Sequence, residues 1–425
     1  MRKARSQNSS VKRGLQLLAL MVLAAVPASA MSAELAGPAA PQSLRWRSQV
    51  IRLAVSTSLT GQNPGIKADA DVLGALKRSV AAWEAVTGLE FRIESTDRQN
   101  VSPVGSAGDG VSLLTIAPTP ENMQLFAADP FGESARTRVF FNRRGAITEG
   151  DIVLNPLQQF STDGTYGTFD LETTLSHEIG HLLGLKHSAV TGSIMAERIP
   201  RNGDSYAGSR VPTEADLATL RDLYGIEGDS CCGSVSGRLS LPTKSVKGLS
   251  VWAEDPQGRV VAQTEATMDG QFRIGGLSDA KYQFFWQRRD GSGSATGDVG
   301  PATISDGASV VLNKRLSVDQ NDISIQYIGL NLQPGDAAVV VRPGRQYSIC
   351  IAGRGLSGTN SVTFSSKLIH ADATSITPQD FGQKVDAISV AIATDTDVKP
   401  GVYSLYAERR DGSRTALVGA IIVAK

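Results

Sequence analysis

The chain has 425 residues, 41% hydrophobic and 20% charged, which makes it too long for one compact core and too apolar for a disordered chain. Two or three folded domains are expected, and 43 glycines beside 6% aromatics point to much turn-rich β structure. Its 42 basic residues balance 42 acidic ones, so net charge gives no electrostatic case for binding nucleic acid.

Arg2, Lys3, Arg5, Lys12 and Arg13 precede the apolar run LQLLALMVLAAV and then PASA, the order of a secretory signal cleaved after Ala30. The apolar run is shorter than the ~20 residues of a spanning helix, and no later stretch is long and apolar enough to insert into a bilayer. Removing those five basic residues leaves 37 against 42 acidic ones, a net charge of −5. A secreted protein, extracellular or periplasmic, is therefore expected, with residues 31–48 as a linker.

RSQVIRLAVSTS alternates as a half-buried strand, and DADVLGALKRSVAAWEAVTG sets Val72, Leu76, Val80 and Trp83 on one helical face ended by Gly88. LEFRIES, GVSLLTIAP, RVFFNRR and GDIVLNP follow as short strands, then a helix through TLSHEIGHLLGLKHS. Another helix is expected at PTEADLATLRDLYG, capped by Thr213 with Asp216 reaching back and with Leu217, Leu220 and Tyr224 as its buried stripe. EGDSCCGSVSG reads as a linker, after which turns and short strands continue without a helix, as in β-sandwiches. Cys231, Cys232 and Cys350 permit one disulfide from either member of the adjacent pair to Cys350, leaving one thiol, and the spacing does not decide which.

Three of the four histidines fall within eleven positions. His177 and His181, four apart, leave one face of a helix and can meet at one ion, while Glu178 is rotated by ~100° and can overhang it. Gly184 can take a left-handed conformation and swing the chain so that His187 approaches from a third direction. A structural zinc site would be expected to show a fourth protein ligand nearby, and three histidines leave a position open. Glu178 is then the general base for water attacking a carbonyl.

HEIGHLLGLKH fits the metzincin pattern H-E-x-x-H-x-x-G-x-x-H and most resembles the matrixin branch of zinc endopeptidases, in which a serine, here Ser188, often follows the third histidine. GSIMAE offers Met195 for the methionine turn, and Leu223, Tyr224 and Gly225 match the family's closing LYG. The resemblance implies an α+β catalytic domain, a twisted mixed sheet plus three helices, over 49–227. It also implies His177, His181 and His187 as zinc ligands, Glu178 as catalytic base, Gly184 and Met195 as supports, and a protein or peptide substrate lying along an edge strand near RVFFN. After a linker at 228–234, residues 235–315 resemble carboxypeptidase-regulatory-like β-sandwiches through Asp269, Gly270, Phe272, Ile274, Gly276, Leu277 and Tyr282. Residues 316–425 are more loosely similar to immunoglobulin-like modules.

The chain departs from the family in several places. No cysteine precedes the catalytic domain to mask zinc, Glu197 stands where some metzincins have tyrosine, and His370 is the only other histidine. Calcium (Ca2+) is a second candidate cofactor beside zinc (Zn2+), from SAGDG and STDG, although Asp/Gly pairs are ordinarily plain turns. Arg198, Arg201 and Arg210 suggest a pocket for acidic side chains, against the plainer expectation that they face solvent. Two functions follow: a secreted zinc endopeptidase whose β domains bind substrate or cell surface, or an adhesin-like binding protein whose protease domain is incidental. The intact Glu178 favours the first.

Overall fold

A computed structural model of the protein describes residues 43–203, 210–225, 231–241, 248–290, 293–316, 322–382 and 385–424, so the expected signal segment lies outside the described residues. The fold is mixed α+β, mostly strands with few helices. Strands β1 (Arg45–Trp46), β2 (Val50–Ser56), β3 (Glu90–Thr96), β4 (Leu113–Thr115), β5 (Ala135–Phe141) and β6 (Ala146–Leu154) make one sheet. Parallel neighbours run β3-β2-β4-β6, β1 lies beside the start of β6, and β5 closes the sheet antiparallel to β6. Among the described residues β5 pairs with β6 alone in that sheet, which makes it an edge strand.

Helix α1 (Val72–Thr87) starts where Asp71 accepts the Gly74 N–H and stops at Gly88, whose φ of 69° only glycine adopts freely. Its Leu76, Val80 and Trp83 are buried as the spacing predicts, against the sheet and helix α3 (Leu171–Leu182). A short helix α2 (Pro120–Gln124) was not anticipated, although Thr119 caps it and Pro120 opens it; five residues give no amphipathic repeat to read. Strand β1 lies within the stretch expected as a linker, 31–48, of which residues 31–42 lie outside the described residues. The Trp46 indole donates to Leu182 O at 2.8 Å and Arg45 Nη1 to Leu223 O at 2.5 Å, so this segment ties α3 to helix α4 (Glu214–Tyr224).

After Tyr224 the described residues hold no α-helix, only two short 3-10 turns. The next unit begins at Gly233, inside the expected linker. One of its sheets includes Leu249–Glu254 and Ala280–Asp290 and the other Gly233–Ser240 and Gln271–Leu277; Val251, Phe284 and Trp286 meet Val235, Phe272 and Ile274 in one core. Leu316, expected to open the last unit, packs in this core. In the last unit, Ile349, Ile351 and Val390 of one sheet share a core with Tyr403, Leu405 and Ile421 of the other. The disulfide to Cys350 that the sequence permits is not formed: Cys231 and Cys232 are joined to each other, and Cys350 is a buried free thiol packed with Ala352 and Ala387.

The two β units meet over buried Glu254, whose Oε1 accepts from the Trp252 indole at 2.9 Å and from the Tyr406 hydroxyl at 2.9 Å. Burial pushes its carboxyl up to about 7, against smaller opposing effects of those hydrogen bonds and of Arg414. Because the folded value lies above the unfolded one, the protonated carboxyl favours the fold, and stability falls as pH rises from about 4.5 to about 7. Glu254→Gln should flatten that slope and raise stability at pH 8 by on the order of 2 kcal/mol. Urea titrations at pH 4.5 and pH 8 check this; a variant with the parental slope would contradict it.

Candidate metal centre

Helix α3 is buried along all twelve residues. Asp170 caps it by accepting the Thr173 N–H at 2.8 Å, and Leu171, Leu175, Ile179 and Leu182 fill the core. The Trp83 indole donates to Ser176 O at 2.9 Å and fixes the helix against α1. Gly180 gives Met195 a close seat: a Cβ there would lie 2.3 Å from Met195 Sδ, which would have to shift. Met195, itself buried, is thus packed against the turn carrying His177 and His181.

The helix ends as the sequence predicts. Gly184 has φ 95°, and a Cβ on it would sit 2.2 Å from Leu44 O. Leu185 N–H then donates to Gly180 O at 3.0 Å, and the chain turns back towards the helix. Its carbonyls meet the imidazoles: His181 Nδ1 lies 2.9 Å from Leu185 O and His177 Nδ1 2.8 Å from Ile194 O. Each Nδ1 therefore carries the proton, and each Nε2 a lone pair.

Those two Nε2 atoms face each other at 3.0 Å. His187 completes the group, its ring centroid 4.8 Å from that of His181 and 5.3 Å from that of His177. One ligand atom from each of the three lies within 4.8 Å of the others, and no second group of this kind is found among the described residues. Burial pushes His177 down to about 3, with the charge of His187 adding to it, and His187 down to about 4; burial also holds His181 well below its usual value. All three are neutral at pH 7, the state in which imidazole binds metal. Opposed lone pairs repel unless a cation lies between them, and tetrahedral zinc with ~2.05 Å bonds would set nitrogens about 3.3 Å apart. The residues present fit such an ion.

Glu178 is buried, and its Oε2 accepts from Thr137 Oγ1 of β5 at 2.5 Å. Burial raises its carboxyl to about 7; the Thr137 hydrogen bond and Arg136 oppose this, and Glu133 adds to it. The loop from Ser188 to Met195 is held from below by buried Asp216, which accepts from Ser193 Oγ at 2.5 Å, Ile194 N–H at 3.3 Å and Thr213 N–H at 2.8 Å. Tyr224 donates to Leu183 O at 2.7 Å, fixing the turn from the other side.

Thr137 and the carbonyls of Leu185 and Ile194 were missed in sequence. Backbone oxygens have no sequence signature, and the strand pattern gives no hint of which helix residue faces Thr137. The arginines are largely committed elsewhere: Arg201 donates to Gly167 O at 3.0 Å and Gln158 Oε1 at 2.5 Å, while Arg210 pairs with Asp170 at 2.6 Å. Arg198 lies 3.6 Å from Asp336 of the last unit. The turns considered for calcium are braced internally, Asp109 by Arg98 at 2.5 Å and Asp163 by Lys67. His370 pairs with Asp395 at 3.2 Å in the last unit.

Residues 126–225 match the family model for matrixin, a family that uses zinc. The chain is 26% identical over 194 residues to Metalloendoproteinase 1 of Glycine max, covering 43% of this chain and 53% of that protein. It is 24% identical over 185 residues to Matrilysin of Mus musculus, covering 44% and 61%. It thus spans a little over half the length of these relatives. A solved structure of Bacteroides ovatus SGBP-B with a mixed-linkage heptasaccharide is 13% identical over 47% of this chain and 46% of that one, with a TM-score of 0.18, too slight to bear on fold. The matrixin-like segment spans α3, the three histidines and α4.

Gly184→Ala should cost about 2–4 kcal/mol, since a left-handed residue gains a Cβ against a backbone oxygen that cannot rotate away. Guanidinium unfolding would measure it, and an unchanged midpoint would contradict the role given to this turn.

Proposed function

We propose that the protein is a secreted zinc endopeptidase. The observation that carries this reading is the cluster of three neutral imidazoles with a buried carboxylate on the same helix turn, held by the opposite strand. His177, His181 and His187 would hold the ion, with Gly184 and Met195 as supports. Zinc, when bound, supplies Lewis acidity that brings the pKa of water to ~7 and polarises a carbonyl.

The chain's own residues supply the rest. Thr137 anchors Oε2 of Glu178 and leaves Oε1 to take the proton from the attacking water. Glu178 then delivers that proton to the leaving amine nitrogen. Edge strand β5 pairs with an extended peptide, so that main-chain hydrogen bonds hold the substrate in register. A carboxyl poised near 7 suits both halves of this exchange. The unit over 235–315 is read as carboxypeptidase-regulatory-like and that over 316–425 as immunoglobulin-like, both directing the catalytic unit of 49–227 to protein substrates or a surface.

Glu178→Gln should retain bound metal while slowing casein digestion by about 10²–10⁴-fold. A zinc chelator should abolish the parental activity. Parental rates in the variant, or digestion indifferent to the chelator, would reject the assignment.

A further inference from the structure

The loop of residues 185–195 supplies most of what fixes the histidine cluster: the carbonyls on His181 and His177, His187 itself, and Met195 beneath the helix. Its outer side is covered by the last β unit. Val190 is fully buried in a cluster with Trp252 of the first β unit and Val402, Tyr406 and Val418 of the last. Thr191 N–H donates to Val418 O at 2.8 Å. The approach is closest at Gly419, where φ is 68° and a Cβ would lie 2.4 Å from Val190 Cγ1. On the same seam, a Cβ at Gly192 would lie 3.0 Å from Gly419 O.

Four residues lie between Val190 and Met195 and two between His187 and Val190, so any slack at Val190 reaches both ends of the loop. Among the described residues, the outer half of the loop makes one isolated strand-like pairing within the catalytic unit, the Ser188–Ala196 bridge. Asp216 holds Ser193 and Ile194, and Ser193 N–H donates to Val190 O at 3.0 Å, while the Val190 side chain shares its cluster with Ala215 of α4, Trp252 of the first β unit and Val402, Tyr406 and Val418 of the last, whose Val418 O also holds Thr191 N–H. We infer that Val190 and Val418 are positioning residues through which the last β unit sets the geometry and affinity of the metal centre, so that this unit completes the site instead of only docking it to a target. The inference rests on the reading of the three histidines as a metal site.

The test uses the full chain with Val190→Ala, the milder Val418→Ala on the far side of the same contact, and Val390→Ala in the opposite sheet of the last unit as a control of equal chemistry. Zinc affinity is measured by chelator competition, and ligand geometry by the visible absorption of the cobalt(II)-loaded protein. All three variants should lose some stability, but only the seam variants should bind zinc about 10–100-fold more weakly and shift the cobalt bands. If folded Val190→Ala and Val418→Ala match the parent in affinity and spectrum, or if Val390→Ala weakens zinc as much as they do, the inference fails and the metal site stands. A parent chain that takes up no metal sinks the site reading and this inference with it.

Discussion

Two imidazole lone pairs point at each other across 3.0 Å, and much of the surrounding structure exists to keep them there. Left alone, the rings would turn apart or share a proton. They are denied the first by carbonyls of Leu185 and Ile194 gripping each Nδ1, and the second by burial that keeps all three rings neutral. Repulsion of this kind is tolerated in a fold when a cation removes it, which is why the metal reading follows from geometry as well as from motif.

The constraint propagates outward in shells. A helix buried on every side cannot rotate to relieve the rings, and Trp83, Trp46 and Tyr224 each pin its backbone from a different element. The loop that supplies the carbonyls is in turn clamped by Asp216 from within the catalytic unit and by the seam at Val190 from the β units. Glu254 lies in the same seam, bonded to Tyr406 of the other unit. The three units therefore share one buried junction beside the site, and their separation along the sequence does not translate into mechanical independence.

Much of this could be read from the chain alone where the signal is local. Helices α1, α3 and α4 follow from apolar spacing and their caps, and Gly184 follows from the need for a left-handed residue between His181 and His187. What could not be read depends on contacts between segments distant in sequence. Thr137 sits 41 residues from Glu178, and nothing in its strand marks it as the partner. Arg201 and Arg210 look like pocket cations until Gln158, Gly167 and Asp170 are brought to them by folding. The short strand β1 carries too few residues for a periodic pattern, and the Cys231–Cys232 bond involves neighbours that a framework of separated cysteines does not suggest. The edge position of β5 was anticipated only through family likeness, because pairing partners are a property of the sheet and not of one strand.

The account stands or falls on an ion held by the three rings. Quantitative metal analysis of the folded, extensively dialysed protein, run beside His181→Ala, addresses this directly. One zinc per chain in the parent and a large loss in the variant is the predicted result. Parent protein that is folded and free of zinc, or a variant that retains it in full, would contradict the claim that these imidazoles face one another in order to share a metal.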